Sequence, residues 1–221
     1  MSDTQFPSYQ IPFIFESFRD EIPADEMKNL EKGYITLVGT IREAETEKRW
    51  EDALDWLDSE QGPVALQTWW PRLSLQEKRE LIGDVWQGAK YPLMVVGERN
   101  WVRMFKEVGF LSDGPPPPDK DQKLFRGAPL ARSGRGMSWT PVRETAELFA
   151  EGVVNQSGRQ GALYSAVIPP RALLAYIGFD GNHRGECEAV VNPNMLRGRI
   201  AIDSIVGPDL QWRPADRDRL G

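Results

Sequence analysis

The sequence predicts an α+β protein, with a mainly helical N-terminal region followed by a mixed-β domain. Three observations predict it. Apolar residues recur at helical spacing before about residue 110 and at strand spacing after about residue 122. Four consecutive prolines, Pro115 to Pro118, stand where the texture changes. The sign of the charge changes there too: up to Asp119 there are 13 Lys+Arg against 22 Asp+Glu, net −9, and from Lys120 onward 14 against 11, net +3. With 221 residues, 40% of them hydrophobic, the chain can build one larger core or two small ones.

The N-terminal elements follow from spacing and caps. Trp50, Ala53, Leu54 and Leu57 recur at i, i+3, i+4 and i+7, one face of a helix. Leu75 to Trp86 starts after Ser74 with Glu77 three residues on, a capping-box pattern. Trp101, Phe105 and Val108 form another amphipathic turn, ended by Gly109. Six of the eight tryptophans (Trp50, Trp56, Trp69, Trp70, Trp86, Trp101) fall in this region, and their helical spacing reads as core rather than as platforms for nucleic-acid bases. The segment Asp113 to Asp121 cannot be crossed by helix or strand, because prolines lack the backbone donor and hold the chain extended. The expected organisation is a helical region over 1–114, a Pro-rich linker over 115–121 and a second domain over 122–221.

Beyond the linker the elements are short. Lys123 to Arg126 begins a strand, and Gly136 to Thr140 is a second. Pro141 suits a helix's first turn, with Arg143 to Ala150 continuing it. Gly161 to Ile168 alternates as a strand stopped by Pro169-Pro170, and Leu173 to Ile177 reads as either a short helix or a strand. Glu186 to Val191 and Ile200 to Val206 complete a set of about five β segments. In the first of these, extended geometry would project Glu186 and Glu188 to one side, with Cys187, Ala189 and Val191 facing the core.

Composition removes several function classes. No run approaches the roughly 20 apolar residues of a membrane helix, and the first residues lack a secretory signal pattern, so a cytoplasmic protein with no membrane partner is expected. One cysteine, Cys187, and one histidine, His183, argue against an internal disulfide and against a Cys- or His-rich metal site. A net-positive C-terminal half suits an anionic ligand such as a dinucleotide or a nucleic acid.

Three short elements carry the chemistry. Leu124-Phe125-Arg126-Gly127 sets a fixed cation beside a backbone that a ligand can approach closely. Ser138 and Thr140, two apart, place hydroxyls where a ribose or a carboxylate can be held. Glu186-Cys187-Glu188 adds carboxylates able to polarise a sugar hydroxyl and to stabilise positive charge at an anomeric carbon. Each residue also has an ordinary reading: Arg126 as a strand-end charge, Ser138 and Thr140 as helix caps, Glu186 as a solvated edge residue. Glu188, deeper in an apolar strand, resists that reading because a buried carboxylate is costly unless held.

In this order the elements resemble the ADP-ribosyltransferases of the arginine–serine–glutamate class, which includes many bacterial toxins. The resemblance spans roughly Lys120 to Gly207 and leaves the N-terminal half unexplained. It implies an ADP-ribosyltransferase-like catalytic domain with NAD as substrate. Arg126 would contact a phosphate or ribose of NAD, and the Gly127 backbone would hold the nicotinamide carboxamide. Ser138 would brace the catalytic glutamate and the nicotinamide ribose. Glu188 would be that glutamate, and Glu186 would orient or deprotonate the acceptor. Gly178 to Gly185 falls where the family keeps its acceptor-recognition loop. Two departures stand out: Trp139 fills the middle of the hydroxyl pair, and Thr140 replaces a more usual serine, leaving its role open. Arg132 and Arg135 read either as pyrophosphate contacts or as surface-loop charges.

The function implied is transfer of ADP-ribose from NAD to a macromolecular acceptor, protein or nucleic acid, with release of nicotinamide, in a bacterial or phage toxin or effector. The helical half would recognise the target, an antitoxin or another partner. The alternatives are an NAD glycohydrolase and a non-catalytic NAD-binding or protein-interaction module.

Overall fold

The computed structural model describes residues 39–90, 92–131, 134–179 and 187–215. The fold is α+β, and the chain divides into two compact units between Gly97 and Glu98.

In the first unit a helical stretch over 39–46 precedes α1 (Trp50–Leu54), α2 (Gln61–Trp69), a 3-10 turn (Trp70–Arg72), α3 (Leu75–Gly88) and the single turn α4 (Pro92–Val95). Helix α3 begins as its sequence dictates. The Ser74 hydroxyl accepts from the Glu77 N–H, and the Glu77 carboxylate accepts from the Ser74 N–H at 2.6 Å. The other Glu77 oxygen accepts from the Trp50 indole at 2.8 Å, so the cap also ties α1 to α3. Trp69 lies fully buried, its ring 5.3 Å from Trp50 and its N–H donated to the buried Glu45 at 2.5 Å. The core reading holds for Trp50, Trp69, Trp70, Trp86 and Trp101, but Trp56 is 55% exposed. Helix α1 stops at Leu54, so the expected apolar stripe does not reach Leu57 as helix.

The second unit opens with α5 (Glu98–Val108), which buries Trp101, Val102, Met104, Phe105 and Val108 and ends at Gly109 with φ +76°. Strand β1 (Leu111–Ser112) follows and pairs in parallel with β5 (Leu173–Ile177). Asp113 then fastens the start of the proline run. Its carboxylate accepts from Gly178 N–H at 2.6 Å and from Phe179 N–H at 3.0 Å. The compact units therefore divide ahead of α5, and the proline segment lies within the second unit.

That unit holds two four-stranded sheets. One runs β1-β5-β6-β3, with β3 (Ser138–Trp139) and β6 (Glu188–Val191); the other runs β2-β4-β7-β8, with β2 (Gln122–Pro129), β4 (Gly161–Ile168), β7 (Ile200–Val206) and β8 (Trp212–Pro214). The Leu173 to Ile177 segment is thus a strand, buried along its whole length. The sheets meet where Phe125 and Thr140 exchange both backbone hydrogen bonds, each 2.8 Å long.

Helix α6 (Arg143–Ser157) lies on β2 and β4 through Ala146, Ala150 and Val154. Glycines permit that approach. A Cβ on Gly127 would stand 1.8 Å from the Ala146 carbonyl oxygen, and one on Gly161 would stand 2.2 Å from that of Ala150. Pro141 precedes the helix rather than entering it, and the Thr140 hydroxyl accepts from Val142 N–H at 3.1 Å in a local turn.

Strand β6 corrects one expectation. It begins at Glu188, and Cys187 carries φ +46°, in the left-handed region. Period-two alternation requires extended backbone at every step, so it begins at Glu188 and does not include Cys187, while Glu186 lies outside the described residues. Cys187 is half-buried rather than a core residue of the strand.

Candidate active site

The two sheets bring Arg126, Gly127, Ser138, Thr140 and Glu188 of the sequence-predicted groups to one place. Arg126 lies on β2 opposite Tyr164 of β4. Ser138 and Trp139 pair with Val190 and Ala189 of β6, and the same register carried one residue further sets Thr140 beside Glu188. Ser138, Thr140 and Glu188 therefore share a face, while Trp139 and Ala189 share the opposite, buried one. Phe125, Arg126, Gly127, Ser138, Trp139, Thr140, Ala146, Phe149 and Glu188 line one cleft of about 230 Å³.

Backbone direction decides what Gly127 offers. Phe125 uses its N–H and C=O on Thr140, away from β4, and in an antiparallel ladder the residue two along points its groups the same way. The Gly127 peptide groups thus face the cleft edge. The glycine itself is already required by the packing of α6, whether or not a ligand binds.

Arg126 is half-buried, and its Nη1 donates to the Ser138 carbonyl at 2.8 Å. Its Nε is buried with no hydrogen-bond partner among the described residues. Burial lowers its affinity for the proton, opposed by the charge of Glu188 and, once it ionises, by the Tyr164 phenolate. An arginine remains charged under that pressure, so the site keeps a poorly solvated cation. Glu188 is half-buried, as its position in the sequence implied. Ser138 contributes its carbonyl to Arg126, and its side chain is exposed. Thr140 is buried.

The departure at Trp139 has a structural account. Its side chain is buried on the core face, and its indole N–H donates to the Gly136 carbonyl at 2.9 Å. Arg135 is not directed to the cleft: it bonds Glu98 at 3.2 Å and Asn194 at 3.0 Å, anchoring its loop. Glu186, Arg132, His183 and most of the Gly178 to Gly185 segment lie outside the described residues.

Two lining residues, Ala146 and Phe149, were not read as site residues from the sequence. Phe149 belongs to the helical Arg143 to Ala150 segment, and it is 50% exposed and borders the cleft. The usable signal is its place three residues after Ala146, one residue off the Ala146-Ala150-Val154 stripe. Beyond Phe149 a second groove of about 580 Å³ continues along α6 past Leu148, Gly152 and Val153, sharing Arg126 and Gly127 with the first.

Among the described residues no helix is long and apolar enough to cross a membrane. Comparisons with protein-family models, with curated proteins and with solved structures found no match for this chain.

Proposed function

We propose that the chain is an NAD-dependent ADP-ribosyltransferase that moves ADP-ribose to a macromolecular acceptor. The observation that carries the reading is the convergence on one cleft of Arg126, Gly127, Ser138 and Glu188, from three strands of two sheets, and of Thr140, just beyond β3. A cation and a carboxylate facing a common space suit a ligand with a phosphate at one end and a developing cation at the other. The half-exposed ring of Phe149 offers a flat surface for a heterocycle. The cleft has room for one nucleoside-sized group, and the groove along α6 has room for the other half of a dinucleotide.

In this reading Arg126 holds a phosphate and the Gly127 peptide groups hold the nicotinamide amide. The bond between ribose C1′ and the nicotinamide nitrogen breaks, and its electron pair stays with the ring, which leaves neutral. Glu188 bonds the ribose hydroxyl and stabilises the oxocarbenium-like carbon. The acceptor's lone pair then bonds to C1′ and its proton passes to a base, the role that the resemblance gives to Glu186. A toxin or effector acting in the cytoplasm is the biological role consistent with this chemistry.

The test incubates wild type and Glu188→Gln with labelled NAD and a whole lysate. Nicotinamide release and label entering protein, RNA or DNA are expected for wild type, with a loss on the order of 10²–10³-fold in the variant and no loss of fold. Release without transfer would make the protein a glycohydrolase. No NAD consumption by wild type would end the proposal.

A further inference from the structure

The direction of Arg126 is set by a residue that neither the resemblance nor the cleft identifies. The Gly136 backbone lies directly against the guanidinium: a Cβ there would stand 2.3 Å from Arg126 Cζ, 2.5 Å from Nη2 and 2.7 Å from Nε. Any side chain would occupy the guanidinium's own space. The peptide is also pinned, because the buried Trp139 donates its indole N–H to the Gly136 carbonyl at 2.9 Å. Two residues further on, Ser138 accepts from Arg126 Nη1 at 2.8 Å. The segment 136–139 therefore touches the guanidinium on its face and at one edge. The price is the buried Nε, left without a hydrogen bond to any described residue. A long arginine would ordinarily swing that group to water or to a carboxylate. Gly136 has no backbone reason to be glycine, since its φ is not among the positive values.

From this geometry we infer that Gly136 is a positioning residue for Arg126: with Trp139 it forms a mould that holds the guanidinium flat and poorly solvated at the cleft. The mould concerns Arg126 whatever ligand it meets; only its effect on NAD rests on the function proposed above. Gly134 and Gly136 also differ in kind. A Cβ on Gly134, at φ +52°, would strike the Tyr164 ring, so Gly134 shapes the loop and Gly136 shapes the arginine's seat.

A double-mutant cycle of Gly136→Ala and Arg126→Ala tests the inference with two readouts. In denaturant unfolding, Gly136→Ala lowers the midpoint while Arg126 is present and has little further effect in Arg126→Ala, where the space is empty. An equal loss in both backgrounds overturns the inference. If Gly136→Ala alone does not fold, recovery of folding in the double variant supports it and failure to recover overturns it. The second readout is NMR of the Arg126 Nε–H, identified by its absence in Arg126→Lys. That proton exchanges slowly in the wild type and at least 10-fold faster in Gly136→Ala; unchanged exchange overturns the mould. Calorimetry with NAD supplies the functional arm. Gly136→Ala weakens binding about 10-fold in the wild-type background and not at all in Arg126→Ala, and equal weakening in both overturns positioning through Arg126. Absence of NAD binding by the wild type would refute the proposed function, while the unfolding cycle and the exchange rate would still decide the role of Gly136.

Discussion

Replacing Gly127 with alanine separates the two reasons for a glycine at that position. If it serves only to admit a ligand, Gly127→Ala leaves the empty protein as stable as wild type. The structure demands otherwise. The new Cβ would stand 1.8 Å from the Ala146 oxygen and 2.6 Å from the Ala150 nitrogen, both backbone atoms of α6 that no rotamer change can clear. Even a close C–H to oxygen contact needs about 3.3 Å, so the helix must withdraw by roughly 1.5 Å. Overpacking alone costs about 1–3 kcal/mol, and withdrawal also loosens Ala146, Ala150 and Val154 from the sheet. A total near 3 kcal/mol lowers the Tm by roughly 6–12 °C for a chain of this size. Gly152→Ala is the internal control. It lies on the same helix with nothing within 4 Å of its would-be Cβ, and it should gain about 0.5–1 kcal/mol from helix propensity. Denaturant unfolding of both variants by circular dichroism provides the measurement. A Gly127→Ala midpoint within about 0.5 kcal/mol of wild type would refute the packing argument.

Phe149→Ala should leave stability nearly unchanged, because the ring is half-exposed, and raise the KM for NAD about 10-fold if the ring meets the nicotinamide. Steady-state nicotinamide release measures it, and an unchanged KM would remove Phe149 from the site. The Tyr164 hydroxyl accepts from Ala131 N–H at 2.8 Å and lies 3.1 Å from the Pro129 carbonyl, so Tyr164→Phe should cost about 1–3 kcal/mol at neutral pH. Burial also raises its pKa above the ordinary 10.0, against the opposing pull of the Ala131 bond and the Arg126 charge. The neutral phenol is thus favoured in the fold, and that stability is complete below about pH 10 and lost as pH rises through the folded-state value. Alkaline unfolding should be shallower in Tyr164→Phe than in wild type, and parallel curves would count against the assignment.

What could be read from the residues was what local chemistry decides. The capping box at Ser74 and Glu77, the stop at Gly109 and the strand Gly161–Ile168 depend on neighbours in the chain, and they stand where the spacing placed them. Arg126, Gly127, Ser138, Thr140 and Glu188 were legible as an ordered set of residue types, but their place in one cleft depends on the pairing of β3 with β6, which are far apart in the chain. Where partners are distant, the sequence was mute. Leu173 to Ile177 reads as helix or strand until β1 and β6 flank it. The left-handed turn at Cys187 leaves no compositional trace, unlike one at glycine. The proline run looks like the boundary because proline blocks helix and strand. Asp113 nevertheless fastens its start to the end of β5, a contact across 65 residues. Trp139 looked like an intrusion between two hydroxyls until alternation turned it to the core.

The reciprocal bond pair between Phe125 and Thr140 has a consequence for how the cleft responds to load. It joins the sheet bearing Arg126 to the sheet bearing Glu188, and the Arg126–Ser138 bond and the shared core of Leu124, Trp139, Tyr164 and Ala189 fasten the same junction. Under the function proposed above, a ligand held by both Arg126 and Glu188 would add one more tie between the two sheets. By mass action alone, a ligand of the folded cleft at a hundredfold excess over its Kd would raise stability by about 2.7 kcal/mol.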